Sequence, residues 1–597
     1  MPPDQGSIHV YAGFARPTED TGLDCIRRFL IADVYARFRR LQGDTVIFSL
    51  GVEAFAGNTK REAERQGICP ADLVARAGNE LRGCFKRLRI SCEPGETISS
   101  ADPRCAKELQ RRFLRLVERD LVYRTESTAD GVAPSWLLRT QVYAEGCAVA
   151  LGMLKWPDDA LESQRLALGR TDGVETEAAL LGYGDLTVFT PYPESIGQAA
   201  FVGVPKGHPV LKGLDLETHD AVAPTGVQAI VSEVDSSLPL IVVDRGDAPW
   251  GNSAWLGIPG EDEGDRTIAA SLPEMNGLPF KSGRSGASLR PAHRYLLGDL
   301  TISQQGSWGV PIPVALCPTC FLAPLPADDL PWPTGERVTG TGRKDLPCPS
   351  CGAPSKLEGQ TFHSDFVSMW MWAPTGQAEG VAARQLVWGA ADRSGLLRQR
   401  IAGQLASALG ETSPAKGEPF AAAKLVGSLR GNGGRAADDL EDLDELVSRA
   451  GADVARFALL SAAAPATCTR LTNHSIRHAE RFLDDLLEFS QQRIRDPEAA
   501  AAREIDPSRR RRRRLAAWCA IAEEKIDASL DRLEMHRVIF EITLLFRAIQ
   551  EFERRASSDG GLEIEDRDAI ETALVRLAER IAPCLPETAT KLSSERH

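Results

Sequence analysis

The stretch Ile302-Ser-Gln-Gln-Gly-Ser-Trp308-Gly-Val-Pro-Ile-Pro313 runs directly toward the pair Cys317-Pro-Thr-Cys320, and a second pair, Cys348-Pro-Ser-Cys351, follows. The two thiolates of a CxxC pair converge, and two pairs supply the four sulfur ligands of a tetrahedral zinc site. The alternative is four unliganded cysteines in a loop. Because four protein ligands leave no place for water, the predicted zinc holds the fold together and does no chemistry.

Composition places the chain among ordinary globular proteins of several domains. It has 597 residues, of which 43% are hydrophobic and 26% charged. A net charge of −13 argues against a generally basic surface for nucleic acid. No apolar run approaches membrane-spanning length, and the N-terminal residues lack the pattern of a secretory signal. We therefore expect a cytoplasmic protein with no membrane partner. Thirteen cysteines, an odd number, indicate free thiols and a metal site and not a disulfide framework.

Hydrophobic periodicity predicts an α/β region at the start of the chain. An amphipathic helix is predicted over residues 23–43 and a short buried strand over 45–50. Residues 71–122 are predicted to be helical. Further on, the pattern predicts a β-rich insertion at residues 176–285 and a loop-rich region bearing the cysteines at 310–358. A helix at 380–408 and a loop at 410–440 follow. Three long helices are predicted at 474–494, 513–557 and 563–583.

Residues 302–313 resemble a segment of the class I aminoacyl-tRNA synthetases for leucine, isoleucine and valine. Those enzymes carry V-S-R-Q-R-Y-W-G followed by P-I-P, and in many bacterial leucyl enzymes this leads into an insertion with two CxxC pairs. Both arginines of the family segment are missing here. Four further segments match in the family's order along the chain: Pro134-Ser-Trp-Leu-Leu-Arg-Thr140, Gly169-Arg-Thr-Asp-Gly173, Gly451-Ala-Asp453 and Arg481-Phe-Leu483. The chain thus resembles leucyl-tRNA synthetase from about residue 8 to 590.

This resemblance implies an α/β protein with a Rossmann-like catalytic domain split by insertions. Its halves are expected at residues 1–175 and 286–440, around an editing-like β-rich domain at 176–285. A zinc module is expected at 314–356, and a linker with a helical anticodon-binding-like bundle at 441–597. The family's small C-terminal domain, which grips the tRNA elbow, has no counterpart in this sequence, so we expect a divergent paralogue. The family also implies tRNA, leucine or a similar amino acid, and ATP as ligands, and a monomer is expected.

The family's first ATP signature, H-x-G-H, lies at the N-terminus of a helix and holds phosphates there. In this chain its slot falls on Gly22-Leu23-Asp24-Cys25. Both histidines are missing, and Asp24 places a negative charge where phosphate should bind. The alternative, which applies equally to Glu53 and Asp392 in the segments below, is that Asp24 is an ordinary solvated acid.

The second signature, K-M-S-K-S, is a mobile loop whose lysines clamp the triphosphate. Its slot falls on Leu425-Val426-Gly427-Ser428-Leu429, with Lys424 and Arg430 as flanking cations that could partly substitute. The adenine-binding segment G-G-A-E-H corresponds to Gly389-Ala-Ala-Asp392-Arg393, which keeps one glycine of the pair and the acidic residue. The resemblance therefore assigns nucleotide contacts to Gly389, Asp392, Arg393, Lys424 and Arg430.

The amino-acid pocket segment G-W-D-A-F becomes Gly51-Val-Glu53-Ala-Phe55, so Glu53 is the candidate partner for a substrate ammonium. The editing signature T-T-R-P-D-T corresponds to residues 190–195 and keeps hydroxyls at Thr190 and Ser195. The signature G-H-D-x-R-D corresponds to residues 260–265 and keeps Asp262 and Asp265. Residual deacylation and a scaffold role both remain open for this insertion.

Arg509–Arg514 is the only dense basic run, and Arg511, Arg512, Arg513 and Arg514 are the candidate RNA contacts. A solvated charge run is the alternative. The altered ATP signatures predict a leucyl-tRNA synthetase-like protein with impaired or diverted activation. The rivals are a working leucine–tRNA ligase with compensating residues, a non-catalytic regulator that binds tRNA or amino acid, and an aminoacyl-transfer enzyme of another pathway.

Overall fold

The computed structural model describes residues 7–16, 22–91, 97–125, 133–206, 208–213, 221–243, 249–251, 253–272, 289–306, 308–332, 345–372, 383–390, 392–411, 418–430, 436–494, 508–558 and 561–594. It divides into two compact units. The first comprises Met1–Leu114, Lys155–Ala160 and Gln304–His597, and the second comprises Arg115–Leu154 and Leu161–Ser303. Within the described ranges, no helix has the length and apolarity needed to cross a membrane.

The strands, in chain order, are β1 (Ile8–Ala15), β2 (Val46–Val52), β3 (Thr97–Ser99), β4 (Val122–Arg124), β5 (Trp136–Leu138), β6 (Arg170–Leu180), β7 (Gly184–Thr190), β8 (Phe201–Pro205), β9 (Val222–Val231), β10 (Leu238–Val243), β11 (Ala254–Gly257), β12 (Arg290–Tyr295), β13 (Leu300–Thr301), β14 (Ser303–Gln305), β15 (Val314–Cys317), β16 (Phe321–Pro324), β17 (Asp345–Pro347), β18 (Pro354–Leu357), β19 (Gln360–Phe362), β20 (Ala383–Gly389), β21 (Ala422–Val426), β22 (Leu429–Arg430) and β23 (Thr469–Arg470).

The helices are α1 (Leu23–Leu41), α2 (Gly57–Gln66), α3 (Pro70–Arg87), α4 (Pro103–Glu118), α5 (Ala144–Leu151), α6 (Asp158–Leu168), α7 (Glu263–Ser271), α8 (Ser364–Met369), α9 (Arg393–Ala408), α10 (Ala436–Ala450), α11 (Ala452–Ser461), α12 (Asn473–Ile494), α13 (Ser508–Asp531), α14 (Met535–Ser558), α15 (Ile564–Ile581) and α16 (Pro586–Ser594).

A five-stranded parallel sheet in the order β21-β20-β1-β2-β3 organises the first unit. β1 lies in its centre and is almost wholly buried. The helix predicted over 23–43 and the strand predicted over 45–50 are confirmed as α1 and β2. Because the strands are parallel, the carboxyl ends of β1, β20 and β21 share one edge, where ligands of open α/β sheets bind.

Of the five strands of this sheet the sequence predicts only β2, and β1, β3, β20 and β21 are not predicted. The helix predicted over 380–408 is wrong for its first part, because β20 occupies Ala383–Gly389 before α9 begins. The loop predicted over 410–440 is also wrong in part, because β21 pairs with β20 and α10 begins at Ala436. Strands buried on both faces lack the alternating pattern that marks a half-buried strand, which explains both errors.

The helices α10 to α16 form a bundle whose apolar core is continuous with that of α1 and the parallel sheet. The single segment predicted over 513–557 is in fact two helices, α13 and α14, separated by a tight turn in which Leu533 has a φ of 53°. The segment predicted as helical over 71–122 likewise contains α3, the short strand β3 and α4. The turn between α13 and α14 has no glycine or proline, which explains why that break escaped the periodicity. The sequence between α3 and α4 does carry such residues, Pro94, Gly95 and Pro103, and they were the available signal for that break.

The second unit is built on a sheet in the order β12-β6-β7-β11-β8-β10-β9, and a further pairing of β6 with β9 closes it on itself. Alternate residues of these strands, among them Val188, Val202 and Leu240, fill the interior. In the first unit, the region predicted to be loop-rich at 310–358 contains a small antiparallel sheet in the order β16-β15-β18-β17. The α/β fold class with a β-rich domain, a cysteine module and a C-terminal helical bundle is therefore confirmed.

Candidate functional site

A cleft opens at the carboxyl edge of the parallel sheet. It lies where β1, β20 and β21 end and where α1 begins. Its lining residues are Phe14, Arg16, Asp24, Cys25, Arg28, Trp388, Gly389, Asp392, Val426 and Ser428. The structure thus brings together residues from all three sequence segments to which the resemblance assigned nucleotide contacts.

The first predicted slot forms the N-terminus of α1. Gly22 and Leu23 are buried, and the carboxylate of Asp24 accepts a hydrogen bond from the backbone N–H of Cys25 at 3.1 Å. The anion-binding end of this helix therefore carries the chain's own negative charge. Cys25 is buried and lies 3.6 Å from the guanidinium of Arg28.

The second predicted slot is anchored by the segment after α11. The N–H of Gly427 donates to Pro465 O at 2.6 Å, and the N–H of Thr469 donates to Ser428 O at 2.9 Å. A Cβ at Gly427 would lie 2.6 Å from Ala466 O, so the two backbones are in close contact. Leu425, Val426 and Leu429 are buried.

Arg27 reinforces this anchoring from α1. Its side chain is fully buried and donates to Ala463 O at 2.5 Å. Burial lowers the pKa of this guanidinium to about 10. The start of α1 and the segment covering Gly427 are therefore tied together beneath the cleft.

The remaining predicted nucleotide contacts have different environments. Asp392 caps α9, accepting from the N–H of Gly395 at 3.0 Å, and pairs with Arg398 at 3.0 Å. Gly389 faces Arg28, whose Nη1 lies 3.0 Å from where a Cβ would be. Lys424 and Arg430 are not among the described residues that line the cleft. The side chain of Arg393 lies outside the described part of the structure.

Glu53, the predicted partner of a substrate ammonium, is completely buried after β2. Its Oε1 accepts from the N–H of Phe55 at 2.9 Å and from the hydroxyl of Ser100 at 3.2 Å. Beside it, a Cβ at Gly51 would lie 2.8 Å from side-chain atoms of both Met371 and Phe14. The carboxylate of Glu53 is thus buried and already hydrogen-bonded within the protein.

The four cysteines of the two CxxC pairs converge, and their sulfur atoms all lie within 4.8 Å of one another. The sulfurs of Cys317 and Cys351 are 3.6 Å apart. Zn–S bonds of about 2.3 Å in a tetrahedron place sulfurs about 3.8 Å apart, so the donor set fits this metal. Hydrogen bonds from the backbone N–H groups of Cys320 and Thr319 lower the pKa of Cys317, whereas the neighbouring sulfur of Cys351 raises the pKa of Cys320.

In the second unit, the editing-like residues lie together around the start of α7. The hydroxyl of Ser195 donates to Glu261 at 2.5 Å, and Asp262 caps α7 through the N–H of Asp265. Asp265 is buried and accepts from Trp255 Nε1 at 3.0 Å and from the N–H of Ile258 at 2.7 Å. Burial raises the pKa of Asp265 to about 6. Thr190 is buried at the end of β7, where its hydroxyl accepts from the N–H of Tyr192.

The arginine run forms the first turns of α13, and its members differ in environment. Arg511 pairs with Asp566 at 3.4 Å, and Arg512 pairs with both Glu563 and Asp566. Arg513 and Arg514 are exposed. Two of the four predicted RNA contacts are therefore engaged within the bundle.

Sequence reasoning missed several residues of the cleft. Arg28 donates to Phe14 O at 2.6 Å from the second turn of α1, and the rings of Phe14 and Trp388 meet edge to face at 5.3 Å. Arg16 also faces the cleft. The spacing of Asp24 and Arg28, four residues apart at a helix start, was the available signal.

Comparisons with known proteins agree with this architecture. The family described as tRNA synthetases class I (M) matches residues 14–132. A leucine–tRNA ligase of Alkalilimnicola ehrlichii is 27% identical over 60% of this chain, and the match spans 54% of that enzyme, little more than half its length. A leucine–tRNA ligase of Halobacterium salinarum is 24% identical over 97% of this chain and 77% of its own.

Two solved structures have a similar fold. A LeuRS of Agrobacterium radiobacter, in a ternary complex with tRNA and LeuAMS, superposes with a TM-score of 0.76 at 19% identity, covering 99% of this chain and 85% of that one. Mycobacterium tuberculosis methionyl-tRNA synthetase with methionyl-adenylate has a TM-score of 0.55 at 12% identity, covering 98% and 93%. The chain is thus similar in sequence to leucine–tRNA ligases and has a fold similar to those of the solved leucyl- and methionyl-tRNA synthetases.

Proposed function

We propose that this chain is a leucyl-tRNA synthetase-like protein in which amino-acid activation by ATP is impaired or diverted. The observation that carries the proposal is the anchored slot 425–429. Family members use this segment as a mobile loop that brings two lysines to the triphosphate. Here neither lysine is present, and the hydrogen bonds of Gly427 and Ser428 to the segment after α11 hold the backbone in place.

The charge at the start of α1 supports the same conclusion. A helix N-terminus attracts anions through its free N–H groups. Asp24 occupies this position, so a triphosphate would meet a carboxylate there and not the two imidazoles of the family signature. Charge stabilisation at such sites is worth on the order of 3 kcal/mol per group, which corresponds to about 100-fold in rate.

Working ligase activity is the rival with a specific observation in its favour. The cleft contains Arg16 and Arg28, and these guanidinium groups could take over phosphate contacts from the missing residues. A non-catalytic regulator that binds tRNA or amino acid, and an aminoacyl-transfer enzyme of another pathway, are further candidates. In all of them tRNA and an amino acid are the proposed ligands of a cytoplasmic monomer.

For the cysteine module we propose one structural zinc ion held by Cys317, Cys320, Cys348 and Cys351. Four thiolate ligands close the coordination shell, so the metal would stabilise the small sheet and provide no open position for a substrate. For the editing-like residues we propose a scaffold role. Both carboxylate oxygens of Asp265 already accept hydrogen bonds from the protein, which leaves this group poorly placed to receive a substrate ammonium.

Amino-acid-dependent ATP–pyrophosphate exchange, measured with each of the twenty amino acids, tests the proposal. The expected result is exchange at background level with leucine and with the other nineteen. A leucyl-tRNA synthetase with both ATP signatures serves as the positive control. Robust leucine-dependent exchange by the wild-type chain would overturn the proposal and establish the working-ligase alternative.

A further inference from the structure

The outer face of α13 has an exposed apolar stripe. Trp518 and Ile521, three residues apart and therefore neighbours on the helix surface, are 53% and 50% exposed. Ala517 and Ala520 beside them are exposed as well. The opposite face of the helix packs into the bundle core through Leu515, Cys519, Ala522 and Ile526. Adjoining apolar side chains that the described part of the chain leaves uncovered are typical of an interaction surface.

Two opposite charges lie at the ends of this stripe. Arg513 and Glu524 are eleven residues apart, which is about three turns of an α-helix, so both lie on the same side of α13. Both are exposed, and neither forms a salt bridge with a described residue. Lys525, by contrast, pairs with Glu541 of α14 at 3.6 Å. The stripe is therefore positive at one end, apolar in its middle and negative at the other end.

This order of charges is complementary to itself in the antiparallel direction. A second α13 that runs antiparallel to the first places its Glu524 opposite the first Arg513, and its Arg513 opposite the first Glu524. The midpoint between these two positions is also the midpoint between Ala517 and Ala520. The small alanines thus meet at the centre, where they allow two helices to approach closely. A parallel pair would instead set Arg513 against Arg513.

The same charges fit a nucleic acid less well. A surface that binds a single strand combines aromatic side chains with cations along the whole path of the phosphates. Here Glu524 closes one end of the stripe with a carboxylate, which repels a phosphate backbone. The observations therefore favour a protein partner over RNA for this face.

We propose that two copies of this chain form a two-fold symmetric dimer through antiparallel α13 helices. Arg513 of each copy pairs with Glu524 of the other, Ala517 and Ala520 form the centre of the contact, and Trp518 and Ile521 cover its side. Two-fold dimers are the commonest homo-oligomers. One helix pair buries less than the roughly 800 Å² per partner of a standard interface, so the dimer is weak and reversible.

This inference goes beyond the proposed function and does not depend on it. It departs from the monomer that the family resemblance predicts. Pyrophosphate exchange tests the proposed function, whereas the mass of the particle in solution tests the dimer, so each can fail without the other.

Sedimentation equilibrium of the full chain, over a wide range of protein concentration, measures the association. The apparent mass should rise from that of one chain toward that of two. Arg513→Glu and Glu524→Arg should each weaken dimerisation at least about tenfold, because each creates two like-charge contacts across the two-fold axis. Trp518→Ala should weaken it as well, because it removes an apolar contact at the side of the interface.

Two rescues distinguish the antiparallel pair from general charge effects. The double variant Arg513→Glu with Glu524→Arg exchanges the two charges and should dimerise like wild type. An equimolar mixture of the two single variants should also dimerise, because each reversed charge then meets its opposite in the other chain. Arg65→Glu, on the exposed surface of α2, is the matched control and should leave the association unchanged. Thermal unfolding shows that each variant is folded.

The dimer is overturned if the wild-type chain has the mass of one copy at every concentration, or if the folded single variants associate like wild type. It is also overturned if neither the double variant nor the mixture restores association. A chain that stays monomeric, and whose tRNA binding is lost in both Arg513→Glu and Trp518→Ala, would assign the stripe to RNA and refute the proposal.

Discussion

Arg456 Nη2 and Asp33 Oδ2 lie 2.9 Å apart, and both side chains are completely buried. Asp33 belongs to α1 and Arg456 to α11, so the pair joins the parallel sheet's first helix to the helical bundle. The same guanidinium donates to Cys584 O at 2.6 Å and to Leu88 O at 2.9 Å. One charged group therefore connects three distant parts of the first unit.

Replacement of Arg456 by Met should destabilise the first unit by about 3–5 kcal/mol, because the buried carboxylate of Asp33 then loses its buried arginine partner. Urea titration followed by circular dichroism measures this change. Arg449→Met removes an exposed arginine whose partner is Glu480 and should cost less than about 1 kcal/mol. Equal losses of stability in Arg456→Met and Arg449→Met would contradict the role assigned to the buried pair of Arg456 and Asp33.

The same pair predicts a pH dependence. Burial alone would raise the pKa of Asp33, but Arg456, Arg37 and Ser91 outweigh burial and hold that pKa below its ordinary value. Stability from such a group is present above the unfolded pKa and is lost as the pH falls through the folded one. The difference in free energy of unfolding between wild type and Arg456→Met should therefore be largest at neutral pH and become smaller in acid.

Purified protein should contain about one zinc ion per chain. Cys348→Ser should abolish zinc binding and lower the melting temperature, because metal binding and folding of such modules are coupled. Cys468→Ser changes an exposed cysteine outside the cluster and should retain the metal. Elemental analysis of wild type and of the two variants measures the zinc content. A wild-type protein that contains no zinc, and whose four cluster thiols are freely alkylated, would refute the site.

Asp265 should make the stability of the second unit pH-dependent in the opposite direction from Asp33. Burial raises its pKa to about 6, so the protonated form is favoured in the folded state. Stability from this group is full below the unfolded pKa, near 4, and is lost as the pH rises through about 6. The loss in free energy of unfolding caused by Asp265→Asn, relative to wild type, should thus be larger at pH 4.5 than at pH 7. Denaturant titrations at the two pH values measure it, and a constant deficit would be contrary to the expectation.

The exposed pair Arg513 and Arg514 should carry the electrostatic part of any tRNA binding. Changing both to Ser should weaken binding and reduce the slope of log affinity against log salt by about 2, without loss of stability. Changing Arg511 and Arg512 to Ser should instead destabilise the bundle, because Asp566 is fully buried and loses its partners. Gel-shift titrations over a range of salt concentrations distinguish the two. Salt-insensitive binding that survives the first change would place recognition elsewhere.

Part of this molecule follows from local sequence alone. The helix over 23–43 and the strand over 45–50 were predicted correctly because apolar residues recur at helical spacing in α1 and form a short continuous run in β2, although α1 is buried on nearly all sides. β20 and β21 were not, because strands buried on both faces have the same apolar composition as buried helices. The turn at Leu533, between α13 and α14, has no glycine or proline to mark it.

By itself the sequence determined the family resemblance, the fold class and the four cysteines that converge, because these depend on the order of residue types along the chain. Tertiary structure alone decided which charges remain available. It buries Glu53 among hydrogen-bond donors, and it places Asp392 at a helix cap and Arg511 and Arg512 against acidic groups. Asp24 and Arg28, by contrast, line an open cleft without a salt-bridge partner among the described residues. The reason is physical: a residue's type gives its charge, but burial and neighbouring groups determine whether that charge is already satisfied within the protein or is left for a ligand.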